Sequence, residues 1–324
     1  MLHIILYAIV PIFVVMALGY FSGKAGAFSG ADARILNKVV LNYALPAALF
    51  VSIVKANRAM LSADIKLTVV AFTVLLACFF LVYFVFRMYK SNTQGDAAVS
   101  ALISGSPTIG FLGFAVLEPI FGSSAAVGLV IAIVAIEVNA IGIPVGLCLL
   151  NAGNQQAAAA ANGGKKPNPW LPVWNALKQP VAWAPILAVI LVLFGVKWPA
   201  YLDPSFTLIS GANASIACFA AGITLSAVKV EFNGQVFMGT FLKLIVMPLA
   251  VLVVGILCHM EAMNLKMLVT CAALPPAFSG IIIASRYNTY VATGTSSLTV
   301  STLLFMGACP LWLWLTDVAL KMFA

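Results

Sequence analysis

The sequence contains few charged residues: 8% of its 324 residues are Asp, Glu, Lys or Arg, whereas 63% are hydrophobic. Soluble domains carry roughly 25% charged and 45–50% apolar residues, so this scarcity excludes a soluble globular domain. The net charge is +8, but the basic residues lie singly or in pairs between apolar runs. They form no basic stripe interleaved with aromatic residues, which argues against a nucleic-acid partner. The composition predicts an integral membrane protein.

Residues that carry catalysis or bind metals are also scarce. The six cysteines lie within apolar segments without a CxxC pair, and the two histidines, His3 and His259, are far apart in sequence. This spacing predicts neither a disulfide framework nor a metal site. The sequence contains no HExxH, Walker A or suitably placed GxSxG motif. We therefore expect no catalytic residues, no cofactor and no ATP-driven pump, although an intramembrane enzyme or sensor stays an alternative.

Long apolar runs fill most of the chain. We predict ten transmembrane helices, because most runs are close to the roughly 20 residues that span a bilayer and do not alternate as barrel strands do. The predicted segments are residues 4–22, 34–54, 66–88, 97–120, 124–150, 175–196, 206–228, 235–258, 264–286 and 291–318. The first run has no basic residues before it, so we expect a retained helix instead of a cleaved signal peptide.

One long polar stretch divides the chain. Residues 151–170 read NAGNQQAAAAANGGKKPNPW, whose Gly, Pro and Asn content is typical of a flexible linker. We predict a first five-helix repeat over residues 1–150, a cytoplasmic linker over 151–172 and a second five-helix repeat over 173–324.

Weak internal similarity relates the two halves: Pro11 aligns with Pro185 and Ala47 with Ala221 at one offset. Because each half has an odd number of helices, such repeats would be inverted in the membrane, as in many secondary transporters. Lys and Arg are more frequent in the loops after odd-numbered segments. This bias predicts that these loops and the linker are cytoplasmic and that both termini lie outside.

Two segments carry helix-breaking residues at their centres. Residues 101–117 of the fourth read ALISGSPTIGFLGFAVL, and residues 268–285 of the ninth read LVTCAALPPAFSGIIIAS. A proline removes an amide donor and clashes with the preceding turn, and a single one usually produces only a kink. Interruptions at equivalent positions of two halves predict paired broken helices at a transport site. Each break would present a helix N-terminus with unpaired amides, for which a small carboxylate is the natural ligand.

The predicted substrate site combines these interruptions with nearby polar residues. Its candidate residues are Ser104, Gly105, Ser106, Pro107, Thr108, Gly110, Pro275, Pro276, Ala277, Ser279, Lys243 and Asn42. Lys243, inside the eighth segment, would attract the anion, and Asn42 either lines the site or holds helices together. Glu137, with Asn139 beside it, is the candidate carrier of a coupling proton. The alternatives for the two charges are a structural ion pair, or a lysine that extends toward the cytoplasm.

Several motifs together resemble the auxin efflux carrier family. The run PIFVVMALGYFSGKAGAFSGADARILNKVVLNYALPAALF shares an early Pro, a Gly that closes the first helix and an LPA near the end of the second. The motifs SGSPTIGFLGFAVL, FAAGITLS, LKLIVMP and ALPPAFSGIIIA of later segments also fit. The resemblance covers nearly the whole chain. Within the family, the sequence resembles the bacterial malonate-type members most.

This resemblance implies ten helices in two inverted repeats, crossed broken helices four and nine, and an elevator-like movement of scaffold and transport subdomains, commonly in a homodimer. It implies a secondary transporter of malonate, malate or similar organic acids in the bacterial inner membrane. Uptake of a dianion against a negative-inside potential would need a coupling ion, for which H⁺ and Na⁺ are the candidates. Family members often carry Asn in the fourth-helix break, where this chain has Ser106 and Thr108. The alternative within transport is a cation-coupled carrier of larger amphipathic anions, such as bile acids or auxin.

Overall fold

A computed structural model describes residues 10–54, 65–162, 174, 178, 180–196, 198–227 and 230–323. All regular elements in these ranges are helical, which confirms the predicted all-α class. The α-helices are α1 (Val10–Lys24), α2 (Gly30–Val39), α3 (Leu45–Val54), α4 (Ile65–Arg87), α5 (Gln94–Ser104), α6 (Ile109–Phe121), α7 (Ala125–Ile136), α8 (Ile143–Asn162), α9 (Pro180–Leu193), α10 (Asp203–Ala227), α11 (Gly234–Phe241), α12 (Met247–Leu257), α13 (Ala262–Ala273), α14 (Phe278–Tyr287) and α15 (Val291–Phe323). The start of the first predicted segment, the linker after residue 162 and most of residues 175–179 lie outside the described ranges.

Five helical stretches of the described chain are each long and apolar enough to cross a bilayer. They are Ile65–Arg87, Ala126–Gly153, Asp203–Ala227, Gly234–Leu257 and Val291–Met322. With the shorter apolar helices between them, they confirm a polytopic membrane protein. The exact count of ten, the inverted repeat and the orientation of the termini stay predictions.

Three π-helical turns interrupt the described helices, two of them inside the long stretches and one between α2 and α3. These turns are Val40–Ala44, Glu137–Gly142 and Leu242–Val246. Short π-helical insertions are frequent at functional sites. Each of the three contains a polar residue that the sequence singled out, namely Asn42, Glu137 with Asn139, and Lys243.

The ends of two helices follow directly from local sequence. Thr93 and Asp96 form a capping box at the start of α5: the Thr93 amide donates to the Asp96 carboxylate over 2.8 Å, and the Asp96 amide donates to the Thr93 hydroxyl over 3.1 Å. The second example is the end of α8, which continues as far as Asn162, into the stretch predicted as linker. The run QQAAAAA has high helix propensity, which explains the extension.

Packing sorts the helices into two groups. In the first, α10 packs along α1, α2 and α3, and α9 packs on α3. We call these helices the four-segment group, because they belong to the first, second, sixth and seventh predicted segments. In the second, α5 packs on α4 and α8, while α13 packs on α12 and α15; with α6, α7, α11 and α14 these form the six-segment group. The two groups meet where α6 and α7 lie against α10 and α3.

Packing partners correspond between the two halves of the chain. The contact of α1 with α10 corresponds to that of α9 with α3. In the same way, the contact of α4 with α5 corresponds to that of α12 with α13, and the contact of α8 with α5 corresponds to that of α15 with α13. Repeats related by a two-fold axis would give corresponding contacts of this kind. The inverted repeat itself stays a prediction.

Glycine allows the closest approach within the four-segment group. A Cβ atom at Gly222 of α10 would lie 2.0 Å from the carbonyl oxygen of Met16 in α1, and one at Gly19 of α1 would lie 2.1 Å from that of Phe219. Only glycine fits at such a backbone-to-backbone contact, a common device between membrane helices. The two glycines therefore fix how α1 and α10 lie against each other.

Candidate functional site

The two interrupted helices cross at their interruptions. Pro107, between α5 and α6, pairs with Pro276, between α13 and α14, as an isolated antiparallel bridge. The amide of Thr108 donates a hydrogen bond of 2.9 Å to the carbonyl oxygen of Pro275. The crossing that the family resemblance implied is confirmed, and main-chain contacts hold it together.

The first interruption uses this crossing to satisfy its own backbone. In a continuous helix, the carbonyl oxygen of Ile103 would accept from the amide four residues later, but that residue is Pro107, which has no N–H. The amide of Ala277 donates to Ile103 instead, over 3.0 Å. The second half of the chain thus supplies the donor that the first half lacks.

The second interruption uses a side chain for the same purpose. The carbonyl oxygen of Ala272 would accept from residue 276, which is again a proline. The ammonium of Lys243 donates to it over 2.6 Å and also contacts the sulfur of Met247 at 3.1 Å. Lys243 is 0% exposed, so the alternative of a lysine extending toward the cytoplasm is wrong. Its positive charge lies at the C-terminal end of α13, where the helix dipole is negative.

Glu137 lies in the same buried region. Its side chain is 3% exposed. The described residues Glu137 and Lys243 form no ion pair within 4.0 Å, so the structural ion-pair alternative is not realised. The neighbouring Asn139 donates from Nδ2 to the carbonyl oxygen of Ala135 over 2.9 Å. The side-chain amide is therefore hydrogen-bonded within its own helix.

The hydroxyl groups of the site point toward different neighbours. The Ser104 hydroxyl lies 2.8 Å from the point where a Cβ atom of Gly239 would be, so it faces α11. The Ser106 hydroxyl lies 3.8 Å from the corresponding point at Gly142, in the π-helical turn that contains Glu137. Ser279, in the first turn of α14, is only partly buried. Ser104 and Ser106 therefore have different neighbours, and Ser279 is the more exposed of the three.

Most of the other predicted residues are enclosed at the crossing. Those that are buried are Gly105, Pro107, Thr108, Gly110, Pro275, Pro276 and Ala277. Asn42 is exposed in the π-helical turn that precedes Leu45, and it lies apart from this enclosed set. Leu45 itself packs on the crossing, because a Cβ atom at Gly110 would lie 2.8 Å from its side chain.

A residue that the sequence did not single out completes the site. Asn213 of α10 is 3% exposed and donates from Nδ2 to the carbonyl oxygen of Gly110 over 2.6 Å. Its Oδ1 atom has no hydrogen-bond partner, and neither does the buried hydroxyl of Thr108, two residues from Gly110. In the sequence, Asn213 is an isolated asparagine at the centre of an apolar segment. Such a residue is as typical of a polar contact between helices as of a substrate site.

Comparison with known proteins places nearly the whole chain in one family. The family model described as membrane transport protein matches residues 4–313. The chain is 55% identical over 308 residues to the "Uncharacterized transporter YfdV" of Escherichia coli K12, covering 95% of this chain and 96% of that protein.

More distant relatives extend across bacteria and archaea. The "Uncharacterized transporter MJ1031" of Methanocaldococcus jannaschii is 25% identical over 319 residues, covering 94% of this chain and 96% of that protein. The "Putative malonate transporter" of Rhizobium meliloti is 24% identical over 312 residues, covering 91% of each. With its apolar helices and crossed interruptions, the chain belongs to the membrane transport protein family, that of the auxin efflux carriers.

Proposed function

We propose that the protein is a secondary transporter of small organic anions, with a dicarboxylate such as malonate as substrate. As a family member it carries a small molecule through the lipid bilayer of the inner membrane. The observation that carries the proposal is the buried crossing of Pro107 and Pro276, which lies in the six-segment group and contacts the four-segment group through Gly110.

The N-terminus of α6 is the part of the crossing best suited to a carboxylate. The amide of Thr108 is already bonded to Pro275, whereas the amide of Gly110 has no hydrogen-bond partner among the described residues. The Thr108 hydroxyl is also unpaired. Two donors next to the positive end of a 13-residue helix suit a carboxylate.

Lys243 serves this site by its charge and not by direct contact. Its ammonium is engaged with the carbonyl oxygen of Ala272, so a bound anion would feel its field across the crossing. We assign Lys243 the role of holding the second interruption open while keeping the region positive.

Alternating access follows from the position of the site. The crossing is enclosed, so a substrate can enter or leave only if the six-segment group moves relative to the four-segment group. Uptake of a dianion against a negative-inside potential costs about 2.3 kcal/mol per charge per 100 mV. Uptake therefore needs a coupling ion, and buried Glu137 is the candidate carrier of a proton.

The choice of malonate has support from two sources. One distant relative carries that substrate in its name, and two donors at one helix end suit a compact anion. A larger amphipathic anion stays the alternative substrate, and competition by auxin distinguishes the two.

Counterflow of labelled malonate into proteoliposomes tests the proposal. Malate, succinate and auxin serve as competitors, and pH and Na⁺ are varied to identify the coupling ion. We expect malonate exchange that malate and succinate inhibit and auxin does not. Auxin inhibition with no malonate flux would favour the carrier of amphipathic anions instead.

A further inference from the structure

The amide oxygen of Asn213 is a buried acceptor without a donor. The Gly110 carbonyl oxygen can only accept a hydrogen bond, so the side-chain nitrogen that lies 2.6 Å from it must be the NH₂ group. The orientation of the amide is therefore fixed, and Oδ1 is the atom left unpaired. An unpaired buried acceptor is costly, and in a native protein it calls for a specific explanation.

Two unpaired donors lie in the same helical turn as the Gly110 carbonyl group to which Asn213 donates. The Thr108 hydroxyl and the Gly110 amide lie in the first turn of α6, and neither has a partner among the described residues. A simple carboxylate would satisfy both donors. It would leave the Asn213 oxygen unpaired, whereas a ligand that also brings a donor satisfies all three groups.

We propose that Asn213 selects organic anions that carry an O–H donor beside the carboxylate, either a hydroxyl group or a protonated second carboxyl group. This inference rests on the proposed function and names the substrate class of the same site: hydroxy acids and singly protonated dicarboxylates. A metal cation would also satisfy Oδ1, but the N-terminus of α6 carries partial positive charge and repels it.

The location of Asn213 gives this selection a consequence for transport. Asn213 belongs to α10 of the four-segment group, whereas Gly110 and Thr108 belong to α6 of the six-segment group. A ligand bound at all three residues contacts both groups at once. The O–H donor of the ligand is therefore recognised at the interface between the four-segment and six-segment groups. This interface must change when the two groups move relative to each other.

Competition in the malonate counterflow assay tests the inference with pairs of acids that differ by one hydroxyl. Malate is compared with succinate, and hydroxymalonate with unlabelled malonate, at a neutral pH where the carboxyl groups are ionised. We expect the hydroxylated member of each pair to compete about tenfold better, because its partner leaves the buried oxygen unpaired. Lowering the pH should narrow the gap, since protonation gives succinate and malonate a donor.

The variant Asn213→Leu should reduce the preference to about twofold or less, because it removes the acceptor. The control is Asn151→Leu: Asn151 donates from Nδ2 to Leu147 of its own helix over 2.8 Å, and its replacement should keep the preference. If Asn213→Leu does not fold, the wild-type pairs decide the question alone.

Three results would overturn the inference, and they are distinguishable. Flux of no organic anion would reject the proposed function and this inference with it. Flux with equal competition within both pairs would reject the inference and leave the proposed function standing. A Na⁺ requirement that Asn213→Leu abolishes, with the hydroxyl preference unchanged, would assign the oxygen to a cation.

Discussion

The ammonium of Lys243 stands in for the amide that Pro276 lacks: it donates a hydrogen bond of 2.6 Å to the carbonyl oxygen of Ala272. The last carbonyl groups of any helix need partners from outside that helix. In the second interruption two consecutive prolines remove two amides, and the neighbouring Pro275 leaves Cys271 to accept from Leu274 over 3.2 Å. Lys243 therefore has a structural role at the second interruption, as the donor to the carbonyl oxygen of Ala272.

A double-mutant cycle tests this role. We expect Lys243→Met to lower the free energy of unfolding by about 1–3 kcal/mol, because Ala272 loses its donor. In the background Pro275→Ala with Pro276→Ala, main-chain amides become available again, and the same substitution should cost less. Thermal unfolding of the four purified proteins in detergent measures the coupling. Strictly additive effects would show that Lys243 acts independently of the prolines.

The prolines at the crossing are expected to matter more for transport than for folding. The variant Pro107→Ala with Pro276→Ala restores amides to both breaks and lets the half-helices continue across them. Malonate counterflow should fall to background while the melting temperature is kept or raised. Pro119→Ala is the control, since Pro119 is an exposed proline inside α6 and its replacement should leave counterflow intact. Normal counterflow in the double variant would exclude the crossing as the substrate site.

The two breaks could be predicted because their cause is local. Pro107 and Pro276 interrupt their helices whatever surrounds them, and their equivalent places in two halves mark them as a pair. That the two breaks cross was an expectation from the family resemblance. The π-helical turn around Glu137 was beyond such reasoning, since nothing in an apolar run marks an i to i+5 bond. The extent of α8 to Asn162 was also missed, because the Gly and Asn residues of that stretch outweighed its alanines in the prediction.

The partners of the polar side chains could not be predicted for a different reason. Lys243 was expected to attract the anion, and the segment gives no sign that Ala272 lies within hydrogen-bond distance. In the sequence Asn213 is an ordinary asparagine of an apolar helix, because its partner Gly110 lies far away along the chain. Such contacts join segments far apart in sequence, and their distances depend on the packing of whole helices.

Close packing of α1 on α10 gives a prediction about stability. Gly222→Ala would place a Cβ atom 2.0 Å from the carbonyl oxygen of Met16 and 2.7 Å from the amide nitrogen of Tyr20. Backbone atoms cannot move aside as a side chain does, so we expect a loss of about 1–3 kcal/mol. Gly211→Ala in the same helix meets nothing within 4 Å and should be neutral or slightly stabilising. Equal melting temperatures for the two variants in detergent would contradict the packing.

The role of Glu137 can be separated from substrate binding by comparing two modes of transport. If Glu137 carries the coupling proton, Glu137→Gln mimics its protonated form permanently. Exchange of malonate for malonate needs no net proton movement, so counterflow should continue in this variant. Accumulation driven by an imposed pH gradient should disappear, because no proton can be released on the other side. Glu231→Gln, at an exposed glutamate, is the control that should keep both activities. Persistent gradient-driven accumulation in Glu137→Gln would show that the proton travels elsewhere, and loss of counterflow as well would assign Glu137 to the binding site.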